Sequence, residues 1–257
     1  MGSLTNALEL EVLDHILKTG SYSPPATIYL VLLTGDPGET GSVAAECTYT
    51  GYARTAIPFG AAVGRTITQN AQVTFPACTG GGPDVVTHFG LAASDVETTA
   101  DLMAYGAFVA SKTVSAGYQP FVASAEVAVT FSANGVATAY ATLILDWLFR
   151  AQALAQPTNV QVALFSTACS DAAAGTELSG NGYARTTCNG WDAASGGASA
   201  NTAAITFPVA TGNWSAAVHA ALYDDADYML WLDVNDLTVL TGEYGRFIAG
   251  ALDITLG

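Results

Sequence analysis

The pentapeptide Gly51-Tyr52-Ala53-Arg54-Thr55 returns letter for letter as Gly182-Tyr183-Ala184-Arg185-Thr186, 131 positions on (182 − 51) in a chain of 257 residues. At average residue frequencies of roughly one in fifteen, such a self-match rarely arises by chance. An internal duplication is therefore the first constraint on the fold.

Other landmarks keep the spacing when read outward from this match. Glu46 precedes Arg54 by eight residues, and Glu177 precedes Arg185 by the same eight. Asn70 with Val73-Thr74-Phe75-Pro76 is answered by Asn201 with Ile205-Thr206-Phe207-Pro208, the second copy having one residue more. Val86-Thr87-His88 and Leu91 answer to Ala217-Val218-His219 and Leu222, and Pro25 to Leu32 answers to Pro157 to Leu164. Phe121 to Phe131 resembles Phe247 to Gly257 at a shorter offset, as a deletion in the last loop of the second copy would produce. The repeat divides the chain into modules 1–133 and 134–257, each near the usual domain size. The short Ser132-Ala133-Asn134-Gly135 segment joins them.

Seven basic residues stand against twenty-two acidic ones, a formal charge of −15. A surface that tracks phosphates needs clustered Lys and Arg, so nucleic acid is not an expected partner. The strongly apolar runs, such as Ile28 to Leu33, are too short to span a bilayer, and no membrane insertion is expected. Glu9, Glu11 and Asp14 stand where a signal peptide needs a basic start and an apolar run, so no secretory signal is expected. Cys47, Cys78, Cys169 and Cys188 fall two per half at positions that do not correspond, without zinc-ligand spacing. Buried free thiols of a reducing cytoplasm are the favoured reading, and a bridge within a half stays open.

Leu4, Leu8, Val12, Leu13, Ile16 and Leu17 recur at spacings of three and four, which predicts an amphipathic helix over 4–18. Its counterpart is predicted from Thr138 to Ala151, with Asp14 and Asp146 in corresponding places and Thr5, Asn6 and Thr138 as candidate caps. Each helix is followed by Pro and then a β-branched, apolar run, read as a central strand: Thr27 to Thr34 and Asn159 to Thr167. A polar loop holding the Glu leads to the Gly-Tyr-Ala-Arg-Thr strand, on which Tyr and Arg share a face. Short strands ending in Phe-Pro follow, then Val85 to Ala92, Leu102 to Ser111 and Phe121 to Phe131, with their second-copy counterparts. The fold class is mainly β: two tandem homologous antiparallel sandwich or barrel-like domains, each with an N-terminal α-helix.

The repeated polar residues are the candidate site. Arg54 and Arg185 are two of only five arginines, each with its Glu. They read either as forks for a carboxylate or phosphate ligand or, the favoured reading, as half-buried ion pairs with Glu46 and Glu177. His88 and His219 are repeat-equivalent but follow β-branched residues in strands and have no local metal-ligand spacing, so hydrogen-bonded structural histidines are favoured. Asp224, Asp225 and Asp227 could offer oxygen ligands to calcium, but without the twelve-residue loop pattern a solvated turn is favoured. Gly80-Gly81-Gly82-Pro83 is no P-loop, and no nucleophile elbow is present. No catalytic residue, cofactor or metal is assigned. The repeat-equivalent structural set is Glu46, Tyr52, Arg54, Phe75, Pro76 and His88, with Glu177, Tyr183, Arg185, Phe207, Pro208 and His219.

The order of these motifs resembles a small virion family of tailed bacteriophages, whose members are labelled tail-fibre or structural proteins. The run comprises a helix, Pro-x-x-(Ile/Val), a loop with Glu, Gly-Tyr-Ala-Arg, a Gly/Ser-rich loop, Thr-Phe-Pro, and a Val-His or Val-Thr-His strand. The second half is the closer match, with Thr211-Gly212-Asn213-Trp214 where the first half has Thr79-Gly80-Gly81-Gly82-Pro83. The resemblance implies a non-enzymatic structural component, tail-associated or decorating the capsid, assembled in the host cytoplasm and carried on the virion. It implies contacts with other virion proteins and homo-oligomerisation in the particle. Two alternatives remain: an adhesin that binds host surface glycan through loops around Trp191 and Trp214, and a surface glycan hydrolase.

Overall fold

The computed structural model describes residues 2–96, 102–131 and 135–256. The chain is mainly β and consists of two tandem repeats, each with a helix near its start. The first repeat runs β1 (Gly2–Leu4), α1 (Asn6–Ile16), β2 (Tyr29–Leu33), β3 (Thr55–Ala56), β4 (Thr66–Thr68), β5 (Val73–Thr74), β6 (Asp84–Ala92), β7 (Leu102–Val114), β8 (Phe121–Val122) and β9 (Ala128–Thr130). The second runs α2 (Thr138–Arg150), β10 (Val160–Phe165), β11 (Thr186–Thr187), β12 (Ala198–Ala200), β13 (Ile205–Val209), β14 (Ala217–Asp224), β15 (Asp227–Leu237), β16 (Tyr244–Phe247) and β17 (Asp253–Thr255).

Strand pairings repeat as the sequence does. β2 lies between β3 and β6, as β10 lies between β11 and β14. The ladders β6–β7, β4–β9 and β5–β8 recur as β14–β15, β12–β17 and β13–β16, all antiparallel. Leu30–Leu33 of β2 and Val162–Phe165 of β10 are buried on both faces, as their continuous apolar side chains require. In the first repeat β1 pairs antiparallel with β7 and parallel with β9, so one curled sheet runs β3-β2-β6-β7-β1-β9-β4. Val136 makes the equivalent bridge to Leu230 in the second repeat. Three residues are too few to carry a period-2 signal, so the helical spacing from Leu4 onward conceals this strand.

Three local expectations are corrected. Gly-Tyr-Ala-Arg is not strand; only Thr55–Ala56 and Thr186–Thr187 are. The final strands expected over 121–131 and 247–256 are each broken in two, because β8 and β9 pair with different partners, as do β16 and β17. Thr5 does not cap α1 with its side chain: its hydroxyl donates to the Leu102 carbonyl at 2.8 Å, tying the helix start to β7.

By contacts the chain forms two compact units. One comprises 1–9, 23–132 and 142–154; the other comprises 10–22, 133–141 and 155–257. Each unit thus holds the strands of one repeat and the C-terminal part of the other repeat's helix. Val31, Leu33, Val43, Ala92 and Leu102 form a core cluster in the first unit. In the second, Ala163, Phe165, Cys169, Ala221 and Tyr223 do so.

Candidate functional site

Gly51 and Gly182 open the repeated motif because the backbone there turns through positive φ, 99° and 79°. A Cβ would lie 2.8 Å from the Ala77 carbonyl oxygen in one copy and 2.8 Å from that of Val209 in the other. The extended residues that follow put Tyr52 and Arg54 on one side, and both reach Glu46. Arg54 Nε donates to Glu46 Oε1 at 2.9 Å and Nη2 donates to Oε2 at 2.8 Å, a two-point fork. Arg54 Nη1 donates to the carbonyls of Ser94 and Val96 beyond β6. The Tyr52 hydroxyl donates to Glu46 Oε1 at 2.8 Å and accepts the Leu32 amide of β2 at 3.1 Å.

The second copy repeats this clasp. Arg185 forks onto Glu177 at 2.9 and 2.8 Å, and its Nη1 donates to the Asp225 carbonyl. The Tyr183 hydroxyl donates to Glu177 and accepts the Leu164 amide. The copies differ in depth: side-chain exposure is 1% and 3% for Arg54 and Glu46, but 26% and 28% for Arg185 and Glu177. The expected half-buried pair is therefore a fully buried pair in one copy and a partly solvated one in the other. In the second, the Arg185 guanidinium lies 3.7 Å from the Tyr223 ring centroid, a cation–π contact on its remaining face. Burial first, then the adjacent glutamate charge, pushes the Tyr52 hydroxyl well above the usual phenol range. Burial does the same to Tyr183. Both phenols therefore stay protonated and keep donating to their carboxylates.

Behind the clasp lies an aromatic stack. Tyr52 stacks on buried Phe75 with centroids 6.3 Å apart, and Tyr183 stacks on Phe207 at 6.2 Å. Pro76 and Pro208 are exposed just beyond; Pro208 sits where β13 loses its regular register with β16, a place a residue without an amide tolerates. Trp214 closes the second stack edge-on to Tyr183 and donates Nε1 to the Asn181 carbonyl at 2.9 Å. Trp191 donates to the Cys188 carbonyl. Both tryptophans are buried, so neither is the exposed platform that an aromatic-lined glycan loop requires.

His88 and His219 occupy equivalent strands and are hydrogen-bonded. His88 Nδ1 meets the Thr87 hydroxyl at 2.9 Å. His219 is buried, stacks on Trp231, accepts the Cys169 amide at Nδ1 and faces Asp233 with Nε2. Asp224 accepts the Thr158 amide, and Asp225 gives its carbonyl to Arg185. Among the described residues no three His, Cys, Asp or Glu side chains converge in a metal-binding group. The four cysteines are free and buried.

The roles of two polar pairs were not legible in the motifs. The true counterpart of Asn201 is Gln69, at an offset of 132, and Asn70 is exposed. Gln69 is 1% exposed; its Oε1 accepts the Val127 amide and its Nε2 donates to the Val122 carbonyl, which holds the break between β8 and β9. Asn201 does the same across β16 and β17, accepting from Leu252 and donating to Ile248. The chemical similarity of Asn to Asn hid a one-residue shift that begins near Asn189, whose side chain accepts the Val160 amide. The second pair is Asp14 and Asp146, each of which accepts a loop amide.

Two β modules, each with the same clasp holding a loop to a strand, make the chain a tandem-repeat β protein. The family model described as podophage GP4 fiber I protein gp80 matches residues 3–130 and again residues 135–255. The chain belongs to that family, as two copies, and is a tail-associated structural protein of the phage virion. No curated protein matches the chain. No helix among the described residues is long and apolar enough to cross a membrane.

Proposed function

We propose that the chain is a non-enzymatic fibre component that acts through contacts with other virion proteins. One observation carries this reading: the clasp side chains common to both copies are bonded to one another within their own repeats. Arg54 and Arg185 fork onto glutamates of their own repeats, and the two tyrosines bond the same carboxylates and a strand amide. Groups so committed fix loops to a sheet; catalysis or ligand capture needs them aimed into a cleft. The surface left for other proteins is acidic, which favours solubility and partners with basic faces.

The test is to image purified particles labelled with an antibody to this chain and to count copies per particle, alongside a glycan array and a polysaccharide-cleavage assay. Label on tail fibres at a few dozen copies or fewer, with no selective glycan binding and no cleavage, is the expected result. Hundreds of copies over the shell would make it capsid decoration. Selective glycan binding would make it an adhesin. Cleavage abolished by one Asp or Glu substitution would make it a hydrolase.

A further inference from the structure

Asp14 and Asp146 hold equivalent places on α1 and α2, and each accepts an amide from the opposite repeat. Ala62 donates to Asp146 Oδ1 at 2.9 Å, and Ala194 donates to Asp14 Oδ1 at 2.7 Å. Ala62 and Ala194 are themselves equivalent, 132 apart as are the two aspartates, and each opens the same small turn: Val63 bridges Thr66 as Ser195 bridges Ala198. Around Asp146, the Thr142 hydroxyl donates to the Gly64 carbonyl and Phe149 packs on Phe59, ring centroids 5.5 Å apart. Around Asp14, the segment after α1 is held likewise: Lys18 donates to the Thr158 carbonyl at 2.8 Å, and Gln156 donates to the Gly20 carbonyl.

The relation is reciprocal: residue i of one repeat meets residue j of the other, and j meets i. The compact units follow it, since 142–154 belongs with the first repeat's strands and 10–22 with the second's. We infer that the two repeats are interlocked by helix exchange: the turn at Ala62 or Ala194 is an acceptor site for the other repeat's helix. The two acceptor turns share one backbone bridge, so the opposite arrangement, each helix on its own repeat, would offer the same aspartate-to-amide hydrogen bond. Only the path of the chain distinguishes them.

That ambiguity supplies the test, made on the full-length chain by amide-resolved NMR. With exchange, Asp146→Ala moves the Ala62 amide proton upfield and speeds its solvent exchange roughly tenfold, the loss of one charge-assisted hydrogen bond, while Ala194 stays put. Asp14→Ala does the reverse. Asp146→Asn, which keeps an acceptor oxygen, restores most of the Ala62 signal. If Asp146→Ala instead moves Ala194 and spares Ala62, the helices sit on their own repeats and the inference fails. A second measurement leaves both aspartates intact. A protease sequence is inserted after Ala133 and cut under native conditions, and the fragments should still migrate as one species of the uncut chain's size. Fragments that part in buffer without denaturant would overturn the inference.

Discussion

Tyr49 and Trp214 close equivalent aromatic stacks, one in each repeat, from non-equivalent points of the chain. Tyr49 lies edge-on to Tyr52 with centroids 5.3 Å apart, and Trp214 lies edge-on to Tyr183 at 5.4 Å. The position 131 after Tyr49 is Gly180, and the position 131 before Trp214 is Pro83. Each copy thus fills one slot with one large ring and leaves the other source small. The corresponding loop of the first repeat has no Trp and Tyr49 supplies the ring instead, so both stacks are complete despite unlike sequences.

Removing either ring should leave a cavity in its own unit. Trp214→Ala is expected to cost about 3–5 kcal/mol and Tyr49→Ala somewhat less, measured by urea denaturation. If Tyr49→Ala is neutral, the proposed equivalence of the two rings is wrong.

The clasps should differ in strength because their depths differ. Arg54→Ala strands Glu46 in a dry site and should cost about 3–5 kcal/mol. Arg185→Ala removes a partly solvated pair and should cost about 1 kcal/mol, a difference that shrinks at high salt because screening weakens the pair in the wild type. Equal losses in the two variants would refute the distinction.

Glu9 gives stability a pH dependence of known sign. Burial, then the Glu39 charge, raises its carboxyl from 4.5 to about 7. The folded chain therefore binds this proton more tightly than the unfolded chain. The contribution is fully present below pH 4.5 and is lost as pH rises through 7. Relative to Glu9→Gln, wild-type stability should fall by on the order of 2 kcal/mol between pH 4.5 and 8. A constant difference between the two proteins across that range would exclude the effect.

The thiols should be inert until the chain unfolds. All four cysteines are free and buried, and burial followed by the Asp84 and Glu46 charges pushes the Cys47 thiol up to about 12. A thiol-reactive chromogen should register far fewer than four equivalents in native buffer and all four in denaturant. Rapid modification of Cys47 in the native chain would contradict its placement.

Gln69 and Asn201 each brace a broken final strand by satisfying backbone groups on both sides of the break. Gln69→Ala leaves the Val127 amide and the Val122 carbonyl without this partner and should cost about 1–3 kcal/mol. A change under half a kcal/mol would mean water replaces the side chain without penalty.

Much of this molecule was written in its residue order. The exact return of Gly-Tyr-Ala-Arg-Thr carried the duplication, and the eight-residue spacing from Glu to Arg carried the ion pair, because a clasp that must recur needs the same side chains at the same separation. Helix and central-strand positions followed from apolar spacing, since burial on one face or two imposes its own period. Tertiary structure alone decided the rest. The depth of Arg54 against Arg185 depends on what other segments cover them, and the meeting of Tyr49 with Tyr52 depends on a loop path. The pairing of Gln69 with Asn201 depends on where a single inserted residue is absorbed. Which repeat receives each helix is likewise silent in the sequence: the two acceptor turns have the same backbone bridge, and local preferences cannot distinguish partners that offer an aspartate the same amide.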